Sequence, residues 1–309
     1  VWTWGDGVGG VLGDGSTADH VTTAVEVTGL PKIVSIGEAD DTDVAIDGSG
    51  NVWGWGWNEG GQLCTGTTTE HNSPMKLTNL SGVVAAAGGG THMTYLLANG
   101  KMEACGGGRK GELGNGTFTS SLTPVPVTGL PSSAITAITA GPSTSTALLA
   151  NGQVWDWGSN QFGQLGDGTR TNSDVPVQVQ LPSAAAQVYA GGDDRENGQS
   201  LALLKNGQVW GWGDDANGQL GNGGHRKVNK RPLEATALPS GVTFTFVAAG
   251  GAHSLGLDSA GNVWAWGSNT KGQVGDGSSG SNVLTPVKVL TGVGLVSATA
   301  NDSVAQAAA

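Results

Sequence analysis

The sequence predicts an all-β fold, a β-propeller of four-stranded antiparallel blades. Three observations carry this expectation. The motif Val-Trp-x-Trp-Gly recurs about every fifty residues, each copy holds four short alternating segments, and no segment keeps a helical period. The good copies are Val1-Trp-Thr-Trp-Gly5, Val52-Trp-Gly-Trp-Gly56, Val154-Trp-Asp-Trp-Gly158, Val209-Trp-Gly-Trp-Gly213 and Val263-Trp-Ala-Trp-Gly267. A worn copy stands at Met102-Glu-Ala-Cys-Gly106. Residues 1–309 therefore read as one domain of six repeats, starting near 1, 52, 102, 154, 209 and 263. The period overrides the two-domain prior that length alone would set.

One copy shows the elements in order. Residues 154–158 alternate with period two, which marks a strand. A Gly-rich loop covers 159–169, and residues 175–180 form a second strand. Its Pro176 removes a ladder donor and so suits a sheet edge. Residues 186–191 and 200–204 supply the third and fourth strands. Asn99-Gly100, Asn151-Gly152 and Asn206-Gly207 then predict tight type I′ hairpin turns into the next Trp strand.

The wording Gly163-Gln-Leu-Gly-Asp-Gly-Thr169, with Ala248-Ala-Gly-Gly-Ala-His-Ser254, resembles the regulator of chromosome condensation repeat along essentially the whole chain. The resemblance implies a β-propeller and leaves function open. Members include a nuclear exchange factor that binds a small GTPase and chromatin, and a bacterial secreted inhibitor of β-lactamases. Familiar members have seven blades. Six copies here favour a six-bladed ring, closed by pairing the N- and C-terminal strands, with seven blades as the alternative if one copy is trimmed away.

Charge narrows the partners. With 14 Lys and Arg against 25 Asp and Glu, the net charge of -11 argues against nucleic acid and the nuclear role. No apolar run is long enough to span a bilayer, so membrane insertion is not expected. Low lysine with much Ser, Thr, Asn and Gly points to an extracellular or cell-surface bacterial protein. The chain starts on Val, so a processed or trimmed N-terminus is expected.

The residues that stand out are weighed against the repeat. Six copies offer twelve Trp slots, and ten are filled. Residues two apart share a strand face, so these rings are expected in the core. Trp57 lies beyond the motif, where sister copies carry Ser159 and Ser268, and is the ring expected to be exposed. His92 and His253 share a slot with Thr42, Thr144, Gln199 and approximately Asp302, a set that suits buried hydrogen bonding and not a metal. Cys64 replaces the second Gly of Gly-Gln-Leu-Gly, and Cys105 the second Trp of the next copy. Two free thiols or one disulfide between neighbouring blades both fit, and Cα separation decides. Asp40, Asp41, Asp43 and Asp47 lack the spacing of a calcium loop, and no metal or cofactor is expected.

A basic run, Arg226, Lys227, Lys230 and Arg231, follows one Gly-Gln-Leu-Gly loop, and Arg109 and Lys110 occupy the corresponding loop of the third copy. These residues and Trp57 are the candidate partner contacts. The insertion at 193–196 is another. No nucleophile–base set or phosphate cradle appears. The expected function is a non-catalytic secreted scaffold that binds a protein partner through one face. A carbohydrate-binding adhesin or lectin and a structural subunit of a surface assembly are the alternatives.

Overall fold

The computed structural model describes residues 1–18, 20–192, 198–298 and 303–307. Strands follow the repeat. The first sheet has two strands, β1 (Trp2–Gly5) and β2 (Val21–Glu26). Four-stranded sheets follow, each in sequence order: β3 (Ile33–Ala39), β4 (Thr42–Asp47), β5 (Val52–Gly56) and β6 (His71–Lys76); then β7 (Val83–Gly88), β8 (His92–Leu97), β9 (Met102–Gly106) and β10 (Ser121–Pro126). The next are β11 (Ile135–Gly141), β12 (Thr144–Leu149), β13 (Val154–Gly158) and β14 (Ser173–Gln178); β15 (Ala185–Gly192), β16 (Gly198–Leu204), β17 (Val209–Gly213) and β18 (Asn229–Glu234); and β19 (Phe244–Ala249), β20 (His253–Asp258), β21 (Val263–Gly267) and β22 (Val283–Leu290). A last two-stranded sheet joins β23 (Val293–Ala298) to β24 (Ser303–Ala307). The fold is thus all-β, built of antiparallel propeller blades.

Each four-stranded sheet ends on the strand that carries a proline: Pro74, Pro124, Pro176, Pro232 or Pro286. A missing N–H costs nothing where no neighbour accepts it. The hairpin turns differ from the type I′ expectation. Gly100, Gly152 and Gly207 have φ of 78°, 83° and 84°, but their Asn neighbours do not adopt positive φ. The Gly100 N–H donates to Leu97 O, and the Leu97 N–H to Lys101 O. This is a three-residue loop, a type I turn followed by a left-handed glycine. The Asn side chain stabilises it locally, since Asn99 Oδ1 accepts from the Lys101 N–H at 2.9 Å.

The chain divides into two compact units, Val1–Ser145 with Ser173–Pro176, and Thr146–Asn172 with Val177–Ala309. In the first unit, Val44, Ile46, Leu63, Met93 and Tyr95 form a core cluster. In the second, Leu201, Leu203, Phe244, Trp264 and Trp266 form another, with Phe244 set 6.4 Å from both indoles.

A recurring joint links successive repeats. The second Trp of a motif donates its indole N–H to a loop carbonyl of the preceding repeat: Trp55 to Val11 O at 3.0 Å, Trp212 to Gln164 O at 2.7 Å, Trp266 to Gln219 O at 2.8 Å. A left-handed glycine lies against the same ring. A Cβ on Gly13 would come within 2.7 Å of Trp55, and one on Gly221 within 2.9 Å of Trp266. The third copy departs from this joint on both sides. Cys64 takes the glycine position at φ 56°, Cys105 takes the Trp position, and the two are disulfide-bonded with Cα atoms 5.6 Å apart. Cys105 Sγ lies 3.3 Å from Gln62 O, the carbonyl an indole N–H would reach.

Candidate functional site

The basic run folds against the preceding repeat. Edge strand β18 lies beside the loop that precedes β14: the Asn229 N–H donates to Phe162 O at 3.2 Å, and the Gly168 N–H to Lys230 O at 2.8 Å. Lys227 Nζ sits 4.9 Å from the centre of the Phe162 ring. Asn229 is buried and donates to Gly213 O and Arg226 O, which pins the loop between β17 and β18. The pairing brings Arg170 to residues some sixty positions later in the chain. Arg170, Arg226, Lys230 and Arg231 line one groove of about 740 Å³, whose other walls include Asp215 and Asn222. All four cations are exposed, and no ion pair engages them among the described residues.

Asp215 gives this groove an unusual floor. It is fully buried, and its Oδ1 accepts from the Leu220 N–H at 2.9 Å. Its carboxylate also meets the Asn222 side chain, the pairing of Asn160 with Asp167 and of Asn269 with Asp276 with the residue types exchanged. Burial pushes its pKa up to about 7, with hydrogen bonds from the Leu220 N–H and the Asn222 side chain pulling the other way and the neighbouring Asp214 charge adding to the rise.

Of the expected contact residues, Arg226, Lys230 and Arg231 converge here, and Lys227 joins through Phe162. Arg109 and Lys110 belong to the first unit and do not line the groove. Arg109 is exposed, whereas Lys110 is half-buried and its N–H donates to Glu112 Oε2 at 2.8 Å. Trp57 is half-buried, not exposed: its N–H donates to Asp41 O and its carbonyl accepts from Thr42 Oγ1, which draws the ring in beside Gly9. The bare rings are Trp2 and Trp4, 59% and 66% exposed, whereas Trp55, Trp157, Trp212 and Trp266 are buried. The core expectation therefore fails for the first copy, where no loop carbonyl among the described residues reaches Trp4 as Val11 reaches Trp55. The insertion at 193–196, and Asp302, lie outside the described residues.

Arg170 was missed because it sits in a different copy from the basic run. The Asp215 signal was available: sister copies place Asn58, Asn160 and Asn269 in its slot. The shared His slot is buried. His92 Nε2 lies 2.9 Å from Ser145 Oγ, Ser145 Oγ donates to Glu112 O, and burial holds the imidazole pKa below its ordinary value. Gln199 Nε2 donates to Gly250 O at 2.7 Å from the same slot. Asp47 caps a turn, accepting from Ser49 and Asn51. Among the described residues no cluster is placed to hold a metal, and no helix is long and apolar enough to cross a membrane.

A family model of the regulator of chromosome condensation (RCC1) repeat matches residues 49–96, 99–148, 151–193, 206–257 and 260–309. Human E3 ubiquitin-protein ligase HERC2 is 30% identical over 288 residues, covering 90% of this chain and 6% of that protein. The ultraviolet-B receptor UVR8 of Arabidopsis thaliana is 29% identical over 283 residues, covering 90% of this chain and 63% of the receptor. The chain thus spans less than two thirds of each. Among solved structures, Prp20p of Saccharomyces cerevisiae, described with its binding to Gsp1p and histones, superposes with a TM-score of 0.84 at 23% identity, covering 100% of this chain and 78% of that one. A second structure holds yeast RCC1 (Prp20) bound to Kap60.

Proposed function

The chain belongs to the regulator of chromosome condensation (RCC1) repeat family, and on that premise we propose that it is a non-catalytic module that binds a protein partner through its basic groove. One observation carries the reading: in a chain of net charge -11, four exposed cations with no ion pair among the described residues converge on a single concave surface. Like charges held together cost free energy unless an anionic partner meets them, and such complementarity sets partner choice and encounter rate. The protein-bound states of Prp20p lend support, since related propellers of that shape bind proteins. Ligase activity is not carried over from HERC2, of which the chain matches so small a part.

Capture from the native source with wild-type protein and with Arg226→Glu tests the reading. Charge reversal is expected to weaken the captured complex at least tenfold, with a steep salt dependence. Equal capture by both proteins overturns the groove as the contact.

An extracellular setting is part of the proposal and is supported by the buried Cys64–Cys105 disulfide. A bacterial source rests on composition alone, and the relatives named above are eukaryotic. The fold reading extends to a single six-bladed ring closed through β1, with seven blades as the alternative. Its support is a set of core positions left bare. Trp4 is exposed where its sister rings are buried, and Ile36 is 67% exposed where register-equivalent Val188, Val247 and Val296 are buried. Gly275 has open space beside it where Gly13 and Gly221 face indoles.

A further inference from the structure

We propose that Arg170 and Arg231 form a preset guanidinium pair that reads carboxylates, and that Leu233 beside them seats an apolar side chain, so that the groove takes an acidic peptide segment with an apolar residue among its carboxylates. The proposal rests on the protein-binding reading above and names the chemistry of the partner's docking segment.

The repeat does not demand these residues. Where Arg170 stands, sister copies carry Thr68, Phe118 and Ser279. Where Arg231 precedes the edge-strand proline, they carry Ser73, Thr123, Val175 and Thr285. Lysines outnumber arginines nine to five in the chain, yet the groove is lined by three arginines and one lysine. Lysine supplies the same charge, and arginine adds a planar fork of donors that matches a carboxylate.

Both guanidiniums are held in place. The Arg170 Nε–H donates to Gln161 O at 2.8 Å, a bond that orients the fork without using its terminal Nη groups. Arg231 lies across the turn at Gly168, where an added Cβ would meet its Nη2, Cζ and Nε at 3.0, 3.1 and 3.4 Å. These nearly equal distances put the flat side of the guanidinium on the glycine. Guanidinium N–H groups lie in the plane, so this stacking blocks none of them. Side chains fixed before a ligand arrives lose less conformational entropy on binding, and each fork offers a carboxylate two parallel bonds. Asp215, the one carboxylate among the lining residues, is engaged by the Leu220 N–H and the Asn222 side chain.

The apolar part comes from the same strand. Arg231 and Leu233 are two apart on β18 and share a face. Leu233 is 37% exposed and lines the groove, whereas its slot holds half-buried Met75, Val125, Val177 and Val287 in sister copies. A bare polyanion leaves that surface in water, and a peptide side chain covers it. Pro232 between the two has no N–H to offer an added strand, so recognition runs through side chains.

The test uses fluorescence anisotropy with three probes: a peptide with one leucine among glutamates, the same peptide with serine for the leucine, and inorganic polyphosphate. Arg170→Lys and Arg231→Lys keep the charge and remove the fork. Their melting temperatures are expected to match wild type, because the sister slots accept varied residues. Each is expected to weaken the leucine peptide about tenfold. Serine for leucine is expected to cost about fivefold on wild type and nothing on Leu233→Ser. If both lysine variants bind the leucine peptide as tightly as wild type while Arg226→Glu does not, the fork is overturned and the basic groove stands. If wild type binds both peptides equally, or binds only polyphosphate, the apolar-acidic segment is overturned. If Arg226→Glu binds the leucine peptide normally, the protein-binding reading itself falls.

Discussion

Restoring the repeat at its one broken joint, with Cys64→Gly and Cys105→Trp together, is expected to return nearly wild-type stability, although either change alone is costly. The disulfide closes a separation of 41 residues, and the chain-entropy model values such a crosslink at about 4 kcal/mol. Against this, Cys64 holds a left-handed conformation that costs an L-residue about 1–2 kcal/mol, which glycine relieves. A tryptophan at 105 regains an indole bond to Gln62 O, worth about 1 kcal/mol, and buries a large ring. That burial adds roughly 1.5–3 kcal/mol. The terms nearly cancel for the double variant.

The single variants do not share this balance. Cys64→Gly loses the crosslink and gains only the backbone relief, a net loss of about 2–3 kcal/mol. Cys105→Trp loses the crosslink and drives a ring into the Cβ of Cys64, adding about 1–3 kcal/mol of overpacking. Urea unfolding followed by tryptophan fluorescence, with and without dithiothreitol, measures all four proteins. A double variant no more stable than Cys105→Trp alone refutes the reasoning.

Other outcomes follow from the same geometry. Asp156, fully buried beneath Trp212 Nε1, has its pKa raised to about 7 by burial. Its folded pKa exceeds its unfolded one, so stability falls as pH climbs from about 4 to 7, by about 4 kcal/mol. Asp156→Asn is expected to flatten that slope, gaining stability at pH 8 and none at pH 4 in parallel denaturation series. Gly221→Ala puts a Cβ 2.9 Å from the Trp266 ring at φ 71°, and a loss of about 2–4 kcal/mol is expected in the same assay. The closed-ring proposal predicts that Trp4→Cys with Gly275→Cys forms an intramolecular disulfide, in imitation of Cys64–Cys105. A fully reduced monomer on non-reducing electrophoresis counts for the seven-bladed alternative, and a crosslinked dimer for assembly between copies.

Periodicity alone determined the strands, their order within a sheet and the edge position of Pro176, because these depend on hydrogen bonding within one copy. It also exposed the departures at Cys64 and Cys105, since a repeat makes exceptions visible. The turn type escaped it: Asn-Gly suits several hairpins, and register chose the three-residue loop. Only the tertiary structure decided exposure. Trp4 and Trp55 hold the same place in the Val-Trp-x-Trp-Gly motif, yet one ring is bare and the other buried, because burial depends on a loop from a different copy. The same reason hid the groove. Arg170 and Arg231 are distant in sequence and meet only when the edge strand of one repeat lies against the loop of the one before.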